Sequence, residues 1–234
     1  MSLKGRLIKL KEVALDLVFP LFCVGCGKEG SLLCPSCSAS LPRIKPPICL
    51  KCGRAIISGS LCPSCLREPP QLDGIRSPFR FEGIIRDAIH HLKYRNLKAL
   101  SSPLALLLAD YLKETPIPAD ALVPVPLHPK RIRERGYNQS SLLARELGRL
   151  ALLPVVEGSL VRRRNTPAQA RAGSVEERRR NVSGVFFCDG QLRERSVLLI
   201  DDVCTTGATL ESCAIALKEA GATSVWGLVL AREI

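Results

Sequence analysis

The run from Val197 to Thr209, Val-Leu-Leu-Ile-Asp-Asp-Val-Cys-Thr-Thr-Gly-Ala-Thr, constrains the fold of this chain more than any other segment. It opens on consecutive β-branched and leucine residues, without the polar alternation of a half-exposed strand. That is the pattern of a strand covered on both faces, as in a parallel sheet between helices. Two carboxylates, Asp201 and Asp202, stand where the strand should end. A hydroxyl- and glycine-rich loop follows, formed by Cys204, Thr205, Thr206, Gly207, Ala208 and Thr209, and Leu210 to Ala220 then reads as a helix. Strand, loop and helix N-terminus make an anion cradle, because free backbone N–H groups and the helix dipole face the loop. The acidic pair suits a different role, which is to accept hydrogen bonds from vicinal hydroxyls or to help hold a hydrated Mg²⁺. A ligand with a phosphate at one end and a ribose diol at the other meets both. No Gly-Lys-Ser/Thr follows the loop and G-x-G-x-x-G is missing, which excludes the two commonest nucleotide-binding loops. A bare turn capping a buried strand would need neither two adjacent acids nor three threonines.

Cysteine spacing organises the other end of the chain. Cys23/Cys26, Cys34/Cys37, Cys49/Cys52 and Cys62/Cys65 are four C-x-x-C pairs within about 43 residues, and such spacing favours metal over disulfides. In each pair a tight turn points two thiolates at one ion, and two pairs complete a tetrahedral Zn²⁺ site. Gly27 and Gly53 directly follow the second cysteine of pairs one and three, while Pro35 and Pro63 lie inside pairs two and four. The segment therefore repeats as a double zinc ribbon over 23–70. Short spacers favour sequential pairing, although a crossed pairing satisfies the same spacing. Four thiolates leave no open position, so two structural zinc ions are expected, supplying most of the folding energy of a module too small to own a core. Reduced, metal-binding cysteines point to the cytoplasm.

The first 22 residues combine Lys4, Arg6, Lys9 and Lys11 with a later apolar stretch, but Glu12, Asp16 and Pro20 interrupt it and no small-residue cleavage site follows. It is too short and too polar to span a bilayer. Leu3 to Val18 reads as an amphipathic helix, which can dock on the protein's own body or make a peripheral membrane or partner contact.

Residues 71–234 carry the larger domain. Within it, 79–115 reads as a helical hood: one helix through Ile84–Leu92, and a second through Pro103–Leu112 with proline in its first turn. His90, His91, Lys93 and Tyr94 near the first helix end read as a basic surface suited to the dipole. A second strand–loop–helix unit begins with the strand 121–125. Its loop runs from Pro126 to Gln139 and is rich in arginine, a residue that grips phosphates in a bidentate manner. A helix from Gln139 to about Leu150 follows. Strands at 160–163 and 184–188 flank a polar stretch that reads as a lid between adjacent core strands. With further strands at 197–201 and 224–230, the order argues for an α/β fold around a mostly parallel sheet, with both anion loops beyond strand C-termini. The net charge of +12, with arginines clustered at 131–135, 162–164 and 178–180, points to a polyanionic partner.

The 197–209 run resembles the signature of the type I phosphoribosyltransferases, which bind 5-phosphoribosyl-1-pyrophosphate (PRPP). The whole pattern is narrower. A cysteine ribbon precedes Val-Pro-Val-Pro-Leu-His at 123–128, Arg-x-x-x-Arg-Gly-Tyr-Asn-Gln at 131–139, a Thr-Pro-x-Gln to Arg-Arg-Arg-Asn-Val segment, and Ile-Asp-Asp-Val-x-Thr-Thr-Gly-Ala-Thr at 200–209. From residue 20 onward this is similar to the competence protein F (ComF) family. The resemblance implies a type I phosphoribosyltransferase fold, PRPP with Mg²⁺ as ligand, and a cytoplasmic role in DNA uptake during natural transformation, with single-stranded DNA and an uptake helicase as partners. It implies 5′-phosphate binding at Cys204–Thr209, Asp201 and Asp202 as catalytic acids, and pyrophosphate binding by His128, Arg131, Arg135, Asn138 and Gln139. Thr166, Gln169, Arg180 and Asn181 would belong to the flexible loop. Phosphoribosyl transfer needs no protein thiol, so Cys204 is expected as a loop residue rather than a nucleophile, even though a helix N-terminus would lower its pKa. Two classes of function remain: a transferase of unknown acceptor, and a non-catalytic sensor or scaffold in which PRPP or a nucleotide tunes a grip on DNA.

Overall fold

A computed structural model describes residues 20–163 and 184–233. The helix expected over Leu3–Val18 and the loop residues Thr166, Gln169, Arg180 and Asn181 lie outside them. Two ribbons come first, and they repeat each other closely. Phe22 bridges Glu29 in the first and Ile48 bridges Ala55 in the second. Each closes on a one-turn helix opened by proline, α1 (Pro35–Ala39) and α2 (Pro63–Arg67).

The main sheet consists of β1 (Gly74–Arg76), β7 (Ser224–Arg232), β6 (Ser196–Cys204) and β3 (Ala121–Pro124) in that order, all parallel, with β2 (Phe79–Arg80) also pairing with β7. This is the expected mostly parallel sheet. Its apolar runs are divided residue by residue between two cores. Leu198, Ile200, Leu228 and Leu230 face one side, with α3 (Gly83–Tyr94), α4 (Ser101–Glu114) and α6 (Gln139–Ala151) packed over them. Val197, Leu199, Val225 and Val229 face the other, under α7 (Ala208–Glu219). Period-two alternation thus survives inside continuous hydrophobic strands, because both faces are covered.

Three sequence expectations change. The strands at 160–163 and 184–188 do not join the parallel sheet: β4 (Leu160–Arg162) and β5 (Phe186–Cys188) pair antiparallel as a separate two-stranded unit. Leu160, Phe186 and Cys188 pack into the core under α7, so their apolar pattern records burial against a helix rather than membership of the sheet. The arginine-rich loop contains a helix, α5 (Pro129–Arg135), started by proline at its first position and by His128 Nδ1 accepting from Lys130 N at 3.2 Å, and stopped by left-handed Gly136. Finally, β1 and β2 are strands that sequence patterning does not reveal, at three and two residues each.

The linker leaving the second ribbon is fastened to the sheet domain. Glu211, in the first turn of α7, accepts from Gln71 N at 2.7 Å and Leu72 N at 3.3 Å. Asp73 accepts from Val225 N at 2.7 Å and pairs with Lys218. Among the described residues no helix is long and apolar enough to cross a membrane.

Candidate ribose-phosphate site and zinc ribbons

Strand β6 delivers the acidic pair to the C-terminal end of the sheet, between β3 and β7. Alternation sends the two carboxylates to different surroundings. Asp202 is 2% exposed, and its Oδ2 lies 2.7 Å from Lys93 Nζ at the end of α3, without the alignment of a hydrogen bond. Asp201 is partly exposed, and its Oδ1 accepts from Ser140 Oγ at 2.8 Å and from Asp202 N at 2.9 Å. Burial and the neighbouring charge of Asp202 raise the Asp201 carboxyl to about 7, against the lowering pull of Lys93 and the Ser140 hydroxyl. Its oxygens already accept from one hydroxyl, that of Ser140, and can accept from others.

Beyond the acids, Thr205 and Thr206 lead into Gly207, which caps α7 with φ +88°. Only a residue tolerant of the left-handed region turns the chain there. Thr206 Oγ1 accepts from Ala208 N at 3.3 Å, and Thr205, Thr206 and Thr209 are open to solvent. Cys204 differs from expectation. It closes β6 rather than joining the loop, its thiol is buried, and burial pushes its pKa up to about 11, where the helix terminus had suggested the reverse. Cys213 is fully buried in the core.

The residues of the second motif part company. Arg131 and Arg135 line a cavity of about 390 Å³ together with Lys93, Tyr94, Asn96, Glu134 and Tyr137. The Arg135 guanidinium lies 5.4 Å from the Tyr94 ring centre. Asn138 and Gln139 are used inside the protein: Asn138 donates to Val125 O at 3.0 Å and accepts from Ser140 N at 3.0 Å, while Gln139 is buried and bonded to Arg135. His128 serves as the cap of α5. The motif therefore shapes the arginine helix as much as it exposes cations. Lys93 and Ser140 are site residues that sequence reading passed over. Lys93 read as a basic helix end; its separation from Asp202 along the chain left no local signal, and only the docking of α3 over the sheet joins them.

The eight thiols of the ribbons fall into two groups, Cys23, Cys26, Cys34 and Cys37, then Cys49, Cys52, Cys62 and Cys65, so the pairing is sequential. Within each group the sulfurs lie within 4.8 Å of one another. Tetrahedral Zn–S bonds of about 2.3 Å require sulfurs about 3.8 Å apart. Cys26–Cys34 and Cys52–Cys62 stand at 3.7 Å. Backbone N–H groups already point at sulfur, Cys34 N to Cys23 at 3.4 Å and Cys62 N to Cys49 at 3.3 Å. Both groups fit a structural zinc, whose chemistry is to hold the ribbon closed.

Residues 14–66 match the double zinc ribbon domain family. Competence protein F of Haemophilus influenzae is 31% identical over 211 residues, covering 85% of this chain and 90% of that protein. Competence protein ComFC of Bacillus subtilis is 30% identical, covering 88% and 86%. The DNA utilization protein YhgH of Escherichia coli K12 is also 30% identical, covering 86% and 91%. Among solved structures, a purine phosphoribosyltransferase from Pyrococcus horikoshii overlaps 56% of this chain and 70% of its own at 20% identity and a TM-score of 0.35. With identity above 30% across most of both chains, this protein belongs to the competence protein F family.

Proposed function

We propose that this protein binds PRPP with its Mg²⁺ counter-ion and acts in the handling of incoming DNA, with phosphoribosyl transfer as the chemistry its residues suit. The observation that carries the reading is the placement at the C-terminal end of the sheet of an acidic pair, an open loop at a helix N-terminus and an arginine-lined cavity, joined by Lys93, which touches Asp202 and lines the cavity. The 205–209 backbone would take the 5′-phosphate. Asp201 and Asp202 would accept from the ribose hydroxyls, and Arg131 and Arg135 would hold the pyrophosphate. Mg²⁺, a hard cation carried by the substrate's own phosphate oxygens, suits the carboxylate and hydroxyl donors present. In the transfer the bond from C1′ to pyrophosphate oxygen breaks, its electron pair leaves with pyrophosphate, and an acceptor nucleophile bonds to C1′. The nearby carboxylates stabilise the positive charge that grows on the ribose, and the arginines stabilise the departing anion. Names of relatives, competence and DNA utilization, support a place in DNA uptake.

The rival is a non-catalytic scaffold in which PRPP binding tunes affinity for single-stranded DNA, favoured by the net charge of +12. Calorimetric titration of PRPP with Mg²⁺ into the zinc-loaded protein and into Asp201→Asn/Asp202→Asn tests the shared premise. Micromolar binding lost in the variant supports the site, and no binding by the wild type removes it. Pyrophosphate release on addition of candidate acceptor bases then separates enzyme from scaffold.

A further inference from the structure

Arg232, the last residue of β7, is 1% exposed. Its Nη1 donates to Cys52 O at 2.5 Å and to Cys204 Sγ at 3.2 Å, while Nε and Nη2 find no hydrogen-bond partner among the described residues. A guanidinium cannot shed its proton, so a buried one requires a counter-charge. The second ribbon holds that charge. Four thiolates around one Zn²⁺ carry a net charge of 2−, and Cys52 belongs to that group. A second guanidinium meets the same knuckle: Arg76, 9% exposed, donates to Leu50 O at 2.9 Å. Two buried cations thus clamp the Cys49–Cys52 knuckle at the carbonyls of residues 50 and 52, against a dianionic centre. In the first ribbon, by contrast, Cys26 is exposed to solvent.

The clamp reaches the anion loop by two short routes. Arg232 touches Cys204, the residue from which the loop springs. Ile75 N donates to Lys51 O at 2.7 Å, and the Ile75 Cδ1 would lie 3.2 Å from a Cβ placed on Gly207. We infer that Arg232 is a positioning residue that ties the second zinc site to the 205–209 loop: the zinc tetrathiolate neutralises the guanidinium, and the guanidinium fixes the root of the loop. That the loop binds a phosphate rests on the function proposed above; the link between Arg232 and the second zinc does not.

Zinc transfer from the full-length, zinc-loaded protein to a chromophoric chelator tests this. A Cys26→Ser background isolates the second site, and a Cys62→Ser background isolates the first. Arg232→Met should speed release from the second site at least tenfold and leave the first unchanged, with Arg232→Lys restoring release to within about threefold of the parent. Parental release in Arg232→Met, or equal acceleration at both sites, overturns the inference. The single tryptophan gives a reading that needs no Arg232 variant, because the Arg76 guanidinium lies 4.9 Å from the Trp226 ring centre. In the Cys26→Ser protein, Trp226 emission should change in step with zinc loss, and unchanged emission overturns the coupling. PRPP titration of the same proteins separates the two ideas: a wild type that binds none ends the functional reading, while the zinc-release ratios still decide the role of Arg232.

Discussion

Adjacent in sequence, Asp201 and Asp202 have different neighbours, and the difference predicts different responses to substitution. Asp202 is buried against Lys93. Removing one member of a buried ion pair strands the other, which costs about 3–5 kcal/mol. Lys93→Met should therefore lower stability by about that amount at pH 7, read as a shift in urea midpoint, and Lys93→Met/Asp202→Asn should recover most of it. Asp201 is the opposite case, a carboxyl whose pKa is raised to about 7 by burial and by Asp202. The folded state then holds the proton more tightly than the unfolded chain, so this group's contribution to stability falls as pH rises from about 4 through about 7. Between pH 6 and 8 the wild type should lose on the order of 1 kcal/mol that Asp201→Asn does not lose, measured as the difference between the two urea midpoint–pH curves. The same variant should lose PRPP affinity, since an amide presents one acceptor where the carboxylate presents two. Stability gained and function lost together is the behaviour of a site strained for its chemistry.

At the scale of elements, the two ribbons share one local design and differ in what lies behind it. Gly27 and Gly53 occupy equivalent turns, with φ of +70° and +72°. A Cβ at Gly27 would meet nothing within 4 Å, whereas at Gly53 it would fall 2.4 Å from Ile75 O. Gly27→Ala should cost only the left-handed penalty of about 1–2 kcal/mol. Gly53→Ala must also move the knuckle away from β1, and it should lower the apparent melting temperature well beyond Gly27→Ala in parallel thermal scans. Position in the fold, not the repeat itself, sets the cost. The β4–β5 pair makes a related point. Leu160, Phe186 and Cys188 share the core under α7 with the sheet's own residues, yet they belong to a separate antiparallel pair.

Over the whole molecule, an α/β sheet domain carries the candidate site at the C-terminal ends of β3 and β6, where parallel sheets leave backbone groups and loops free for ligands. The second ribbon is built into that domain through Arg76, Arg232 and the Glu211 contacts. The net charge of +12 gives the particle a long-range attraction for polyanions. If single-stranded DNA is a partner, its affinity should fall steeply between about 50 and 200 mM salt, with a log–log slope of about −0.7 per phosphate engaged. Fluorescence anisotropy with a labelled oligonucleotide measures that slope, and a flat response would remove the phosphate backbone as the basis of recognition.

Sequence by itself determined the parts whose chemistry is local. The C-x-x-C knuckles, the strand carrying Asp201-Asp202, the glycine turn before α7, the helix from Gln139 and the helix through Pro103–Leu112 are each written in adjacent or periodic residues, because turns, caps and amphipathic faces are decided within a few positions. Tertiary structure alone decided the rest. Strands β1 and β2 exist because β7 offers them parallel partners. Lys93 meets Asp202 because α3 folds over the sheet, and Arg232 meets Cys52 because the second ribbon docks on the far end of β7. Charge pairing between distant segments carries no periodicity, and its strength depends on burial that only the packed molecule creates.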